Sequence, residues 1–157
     1  MRVLLIDDHA LVRKGIEGLL RSRGVEVIAS AGSGEEGVRR ALELTPDIVL
    51  LDVKMPGMNG IETLTSLRGH GVAAPVVMLT MSSEDADLGA ALRAGAQGYL
   101  LKDMEPEELV PALEAAMRGE NVVAKELLGT LARIVRGDAG TGTAAAAPSA
   151  SFVELTR

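Results

Sequence analysis

Short aliphatic runs alternate along this chain with longer amphipathic stretches, and that alternation restricts the possible folds more than any other feature. The runs lie at residues 3–6, 25–29, 47–51, 76–80 and 98–101. They are too short for ordinary helices and show no polar alternation, the pattern of strands covered on both faces in a parallel sheet. Between them the apolar positions recur at helical spacing, as in 10–21, where Leu11, Gly15 and Leu19 run beside Val12, Ile16 and Leu20. Similar stretches occupy 34–44, 60–68, 84–94 and 106–118. Gly24, Pro46, Pro56, Gly57, Gly71, Pro75 and Gly95 punctuate the series. The alternation predicts an α/β fold, a doubly wound five-stranded parallel sheet with right-handed crossovers. A further stretch at 125–136, carrying Leu127, Leu128, Leu131, Ile134 and Val135, predicts an extra C-terminal helix. The expected organisation is a domain over 1–120, the additional helix within 121–136 and a flexible linker over 137–157. Residues 137–151 are small, with one charge and no large apolar side chain, too little to order themselves by burial. A helix continued through 144–147 is the alternative there.

Composition removes several function classes. Tyr99 and Phe152 are the only aromatic residues, too few for a base-stacking platform. With 16 Lys and Arg against 22 Asp and Glu, the net charge of −6 makes these residues a poor match to a phosphate backbone. The absence of cysteine excludes disulfides, thiolate zinc sites and a cysteine nucleophile. His9 and His70 are too few for a histidine-rich metal site. Neither a secretory leader nor an apolar run long enough to span a membrane is visible, so the expectation is a cytoplasmic chain.

The chemistry lies where the runs stop. Asp7 and Asp8 close the first run, and Asp52 follows the third. Ligands of open α/β sheets sit beyond the carboxyl ends of the strands, where strand order reverses. With the order 2-1-3-4-5, strands 1 and 3 are neighbours and the three carboxylates converge. Converging carboxylates repel unless a cation neutralises them, and their hard oxygens suit Mg²⁺. Asp8 ahead of the first helix also fits a plain N-cap. Thr80 ends the fourth run and Lys102 follows the fifth, adding a hydroxyl and an ammonium. Alone, Thr80 fits a turn and Lys102 a solvated charge. Together with a carboxylate nucleophile, these groups suit phosphoryl transfer onto an aspartate.

The motifs Leu5-Ile6-Asp7-Asp8-His9, Leu50-Leu51-Asp52-Val53-Lys54-Met55-Pro56-Gly57-Met58-Asn59-Gly60, Val77-Met78-Leu79-Thr80 and Gly95-Ala96-Gln97-Gly98-Tyr99-Leu100-Leu101-Lys102 follow in this order and spacing. In them the chain, from Arg2 to about Arg136, resembles the receiver domains of two-component response regulators. Met104-Glu105-Pro106-Glu107-Glu108-Leu109 is similar to the branch containing the nitrate/nitrite regulators. The resemblance implies a flavodoxin-like receiver fold and a phosphoprotein switch in a phosphorelay rather than a turnover enzyme. It implies that Asp52 accepts a phosphoryl group from a sensor histidine kinase, partly by self-catalysis. Mg²⁺ would be held by the side chains of Asp8 and Asp52 and the Lys54 backbone carbonyl, with Asp7 alongside. Thr80 would hydrogen-bond the phosphoryl oxygens, Lys102 would pair with them, and Tyr99 would turn inward when Thr80 moves. Homodimerisation on phosphorylation and transcription regulation through a C-terminal helix-turn-helix DNA-binding domain are also implied. Leu155-Thr156-Arg157 resembles the start of that domain, so the chain reads as truncated.

Two positions depart from the pattern: Met81 stands where a small residue is usual, and Asp103 where proline often permits a cis peptide. The alternative function is a degenerate receiver acting as an interaction module without phosphorylation. An aspartyl-nucleophile phosphohydrolase fits less well, because its two aspartates are spaced Asp-x-Asp and it carries a cap domain. No Gly-x-Gly-x-x-Gly follows the first run, which argues against dinucleotide binding. His9 and His70 are read as loop residues and neither as catalytic, with tuning of the adjacent carboxylates as the alternative for His9.

Overall fold

A computed structural model of the protein describes residues 1–81, 87–140 and 152–155. Five strands and five helices alternate as expected: β1 (Arg2–Ile6), α1 (Ala10–Ser22), β2 (Glu26–Ala31), α2 (Gly34–Leu44), β3 (Ile48–Asp52), α3 (Gly60–Gly69), β4 (Val76–Thr80), α4 (Asp87–Arg93), β5 (Gly98–Leu101) and α5 (Pro106–Met117). They are followed by β6 (Asn121–Ala124), a 3₁₀ turn at Lys125–Leu127, α6 (Leu128–Gly140) and β7 (Phe152–Leu155). Strand order is β2-β1-β3-β4-β5-β6-β7, with every pairing parallel. The order 2-1-3-4-5 is present within it.

The count of five strands is corrected to seven. Val122 and Val123 pair with Gly98 and Tyr99, which supplies ladder partners to an edge that β5 would otherwise expose. The expected helix within 121–136 therefore gives its first four residues to a strand, begins after the 3₁₀ turn and extends to Gly140. The expected linker over 137–157 is also corrected in part, since Phe152–Leu155 pair residue for residue with Asn121–Ala124. The rest of that span, 141–151 and 156–157, lies outside the described residues, as does the start of the helix expected over 84–94.

Strands β3, β4 and β5 are buried along their whole length. Their side chains join Leu20, Leu64, Leu67, Leu88 and Leu113 in one continuous core. Each such aliphatic side chain contributes about 1.5–3 kcal/mol on burial, which makes this inner sheet a rigid base for its terminal loops. Helix α1 and the start of α5 line one common groove, while α2, α3, α4 and α6 pack in series.

The loop from β3 to α3 is held by three local devices. Gly57 turns the chain at φ +74°. Asn59 forms a capping box with Glu62: its side chain accepts from Glu62 N–H and its own N–H donates to the Glu62 carboxylate, both at 2.9 Å. Gly60 donates to the Val53 carbonyl at 2.8 Å. A Cβ at position 60 would stand 2.3 Å from the Asp52 carbonyl oxygen, so only glycine permits this close approach to the end of β3.

Candidate functional site

The parallel register Ile6↔Leu51 between β1 and β3 brings Asp7 and Asp52 side by side at the carboxyl ends of the strands. Asp7 is fully buried and Asp52 is 3% exposed. Lys102, just past β5, donates its backbone N–H to the Thr80 carbonyl at 2.7 Å, which ties the ends of β4 and β5 together. Its ammonium lies 2.8 Å from Asp7 Oδ2 and 3.1 Å from Asp52 Oδ1. The Lys54 N–H donates to Asp52 Oδ1 at 3.3 Å. Arg13 reaches from α1 to the Asp7 carbonyl and fixes the other side of the crevice.

Asp8 is not the cap of α1. His9 occupies that position in extended conformation, with no side-chain cap bond. Asp8 instead faces the crevice, where its Oδ1 lies 3.2 Å from His9 Nδ1 and Asp52 Oδ2 is buried with no hydrogen-bond partner among the described residues. Burial chiefly, and then the Asp7 charge, push the Asp52 carboxyl up from 3.8 to about 6 against the opposing Lys102 ammonium and Lys54 N–H. Desolvated carboxylates with unused oxygens are the donors a hard divalent cation prefers, so the residues fit Mg²⁺. A cleft of about 480 Å³ opens over them, lined by Asp8, His9, Lys54, Pro56 and Asn59 among others.

The structure thus brings Asp7, Asp8, Asp52 and Lys102 into one crevice, with Lys54 at its edge. Thr80 is buried at the end of β4, joined to Lys102 through the backbone. Tyr99 lies on β5 opposite Met78, fully buried, so its ring already occupies the inward position. Met81 is 70% exposed and projects into solvent. No peptide among the described residues is cis, including Lys102–Asp103. His70 sits at the exposed end of α3, as read. His9 lies in the loop ahead of α1 as expected, with its imidazole against the carboxylates. Its Nδ1 stands 3.3 Å from Asp7 Oδ1 and 3.2 Å from Asp8 Oδ1. The sequence signal for this is adjacency to Asp7-Asp8 in a loop only three residues long, Asp7 to His9, before α1.

Comparison with known proteins agrees with this geometry. The response regulator receiver domain family matches residues 3–114. The chain is 44% identical over 140 residues to the nitrate/nitrite response regulator protein NarL of Escherichia coli (strain K12), a match covering 88% of this chain and 65% of NarL. It is 42% identical over 127 residues to the nitrate/nitrite response regulator protein NarP of the same organism, covering 80% of this chain and 59% of NarP. The chain therefore spans somewhat less than two thirds of these relatives. A two-component response regulator of the LuxR family from Aurantimonas sp. SI85-9A1 superposes with a TM-score of 0.72 at 40% identity, over 76% of this chain and 86% of that one. No helix among the described residues is long and apolar enough to cross a membrane. With the family model matching residues 3–114 and relatives above 40% identity over most of its length, the chain belongs to the response regulator receiver domain family.

Proposed function

We propose that Asp52 is the phosphoacceptor of a two-component switch, taking a phosphoryl group from a phosphohistidine of a sensor histidine kinase. The observation that carries this reading is the unequal use of its two oxygens. Oδ1 is engaged by the Lys102 ammonium and the Lys54 N–H, whereas Oδ2 is buried without a hydrogen-bond partner among the described residues. Oδ2 attacks phosphorus, the phosphorus–nitrogen bond of the donor breaks, and the leaving imidazole takes up a proton. Asp8 and Asp52, with the Lys54 carbonyl and Asp7 alongside, would hold Mg²⁺, which when bound offsets the charge shared by these carboxylates and the phosphoryl oxygens.

Lys102 supplies a cation within reach of the developing charge, and Thr80 brings a hydroxyl to the same strand ends. Phosphorylation adds about −1.5 to −2 charges and strong acceptor oxygens to the crevice. Lys102 and Thr80 follow that charge, and their shift reaches α4, β5 and α5 through the Thr80–Lys102 backbone bond. Tyr99, on β5 opposite Met78 and two residues before the partner of Thr80, moves with the strand. The differential stability needed to select one of two states is a few kcal/mol, comparable to one or two charge-assisted hydrogen bonds. The output is homodimerisation and control of a C-terminal DNA-binding domain, as a transcriptional response regulator acts.

The test is intact-mass spectrometry after incubation with Mg²⁺ and acetyl phosphate. The expected result is one added phosphoryl group in the wild type and none in Asp52→Asn. An unmodified wild type after exposure to both acetyl phosphate and a cognate kinase would instead identify a receiver that works by binding alone.

A further inference from the structure

The phosphoacceptor reading gives no task to His9, yet its imidazole joins the crevice. One donor atom from each of Asp7, Asp8, His9 and Asp52 falls within 4.8 Å of all the others. His9 Nδ1 is 3.3 Å from Asp7 Oδ1, 3.2 Å from Asp8 Oδ1 and 3.9 Å from Asp52 Oδ2. Two ligand atoms about 2.1 Å from a common ion stand roughly 3.0–3.4 Å apart in octahedral or tetrahedral coordination. The nitrogen is thus spaced from the Asp7 and Asp8 oxygens as a neighbouring ligand would be. A second observation goes beyond the acidic cluster: Asp52 is 3% exposed, and its Oδ2, 3.9 Å from His9 Nδ1, has no hydrogen-bond partner among the described residues.

We propose that His9 Nδ1 is a nitrogen donor that makes the divalent-cation site of this chain selective for transition ions such as Co²⁺, Ni²⁺ or Zn²⁺ over Mg²⁺. The inference rests on the reading of the crevice as a cation site. Mg²⁺ takes oxygen donors and gains little from an imidazole, whereas nitrogen ligands raise affinity along the first-row series. The His9 side chain is 60% exposed and makes no cap bond to α1, so it can move toward or away from an ion without disturbing the helix. His9 also lines the mouth of the cleft with Asp8 and Lys54. An imidazole held there by a transition ion crowds the approach to Asp52 Oδ2. The nitrogen donor would therefore make phosphorylation sensitive to which divalent ion is present.

Titration calorimetry with Mg²⁺ and with Co²⁺ tests this on the whole chain, as wild type, His9→Ala and His9→Asn. Asparagine is a favourable N-cap, so the second variant separates loss of the ligand from loss of the helix start. The expected result is Co²⁺ binding at least tenfold tighter than Mg²⁺ in the wild type, with that ratio falling at least fivefold in both variants. Nitrogen-detected NMR with Zn²⁺ supplies an independent readout: the His9 Nδ1 resonance shifts and the His70 resonances stay in place. An unchanged ratio, or a His9 nitrogen that ignores Zn²⁺, overturns the role of His9 while Mg²⁺ binding continues to support the cation site. A wild type that binds neither ion overturns both.

Discussion

Replacing Asp52 with Asn is expected to stabilise the metal-free protein at neutral pH while abolishing its proposed acceptor. The carboxyl is 3% exposed, and its pKa is pushed from 3.8 to about 6, first by burial and second by the Asp7 charge. The folded protein therefore holds this proton more tightly than the unfolded chain does. Between pH 3.8 and about 6 the folded state binds more protons, so the contribution of this group to stability falls as pH rises and is flat outside that window. At 1.36 kcal/mol per pH unit, the ionised form costs about 3 kcal/mol above pH 6. Asparagine carries no charge and keeps an oxygen for the Lys54 N–H and Lys102. Lys102 retains Asp7 as its remaining ion-pair partner in this crevice. Allowing for the weakened pairing of that buried ammonium, the net gain at pH 7.5 is about 1–3 kcal/mol. Urea unfolding followed by circular dichroism in the presence of a chelator measures it, with wild type and Asp52→Asn compared at pH 7.5 and pH 4. The gain should be largely gone at pH 4, where the wild-type carboxyl is mostly protonated. A variant that is less stable at pH 7.5, or a difference that does not change with pH, would refute the reasoning.

Other perturbations give separate readings. Mg²⁺ at 100 times its pH 7.5 dissociation constant should raise the stability of the wild type by about 2.7 kcal/mol at pH 7.5, the same concentration should raise it by less at pH 5, and a chelator should reverse both; thermal melts follow the shift. Gly60→Ala, which sets a Cβ 2.3 Å from the Asp52 carbonyl oxygen, should cost about 2–4 kcal/mol in the same melts and weaken Mg²⁺ binding. Gly18→Ala in α1, where nothing lies within 4 Å of the added carbon, should stabilise by about 0.5–1 kcal/mol and leave Mg²⁺ affinity alone. Asn59→Ala removes half of the capping box of α3 and should cost about 1 kcal/mol in urea unfolding.

The residues that could be read directly are those whose environment is the same along the whole element. Strands β4 and β5 begin and end where their apolar runs do, because both faces of each strand are covered. β6 escaped this reading: Asn121 leaves only Val122, Val123 and Ala124 as apolar residues, and their strand identity depends on pairing with β5. β7 escaped for a different reason, since its backbone pairs with β6 across a segment whose composition reads as linker. Asp7, Asp8 and Asp52 were legible because they stand at strand ends, a position that sheet topology turns into proximity. The approach of His9 to Asp52 was not, because it depends on the adjacency of β1 and β3 together with a side-chain rotamer in a short loop. The Asn59 capping box did leave a signal, an Asn followed three residues later by Glu62 ahead of a helix.

The central claim is that Asp52, and no other carboxylate of the crevice, carries the phosphoryl group. An aspartyl phosphate is reduced by borohydride to homoserine, which leaves a permanent mark at the acceptor. After phosphorylation with Mg²⁺ and acetyl phosphate, borohydride trapping and peptide mass mapping should place homoserine at position 52. Homoserine at Asp7 or Asp8 instead, with Asp52 unmodified, would contradict the account.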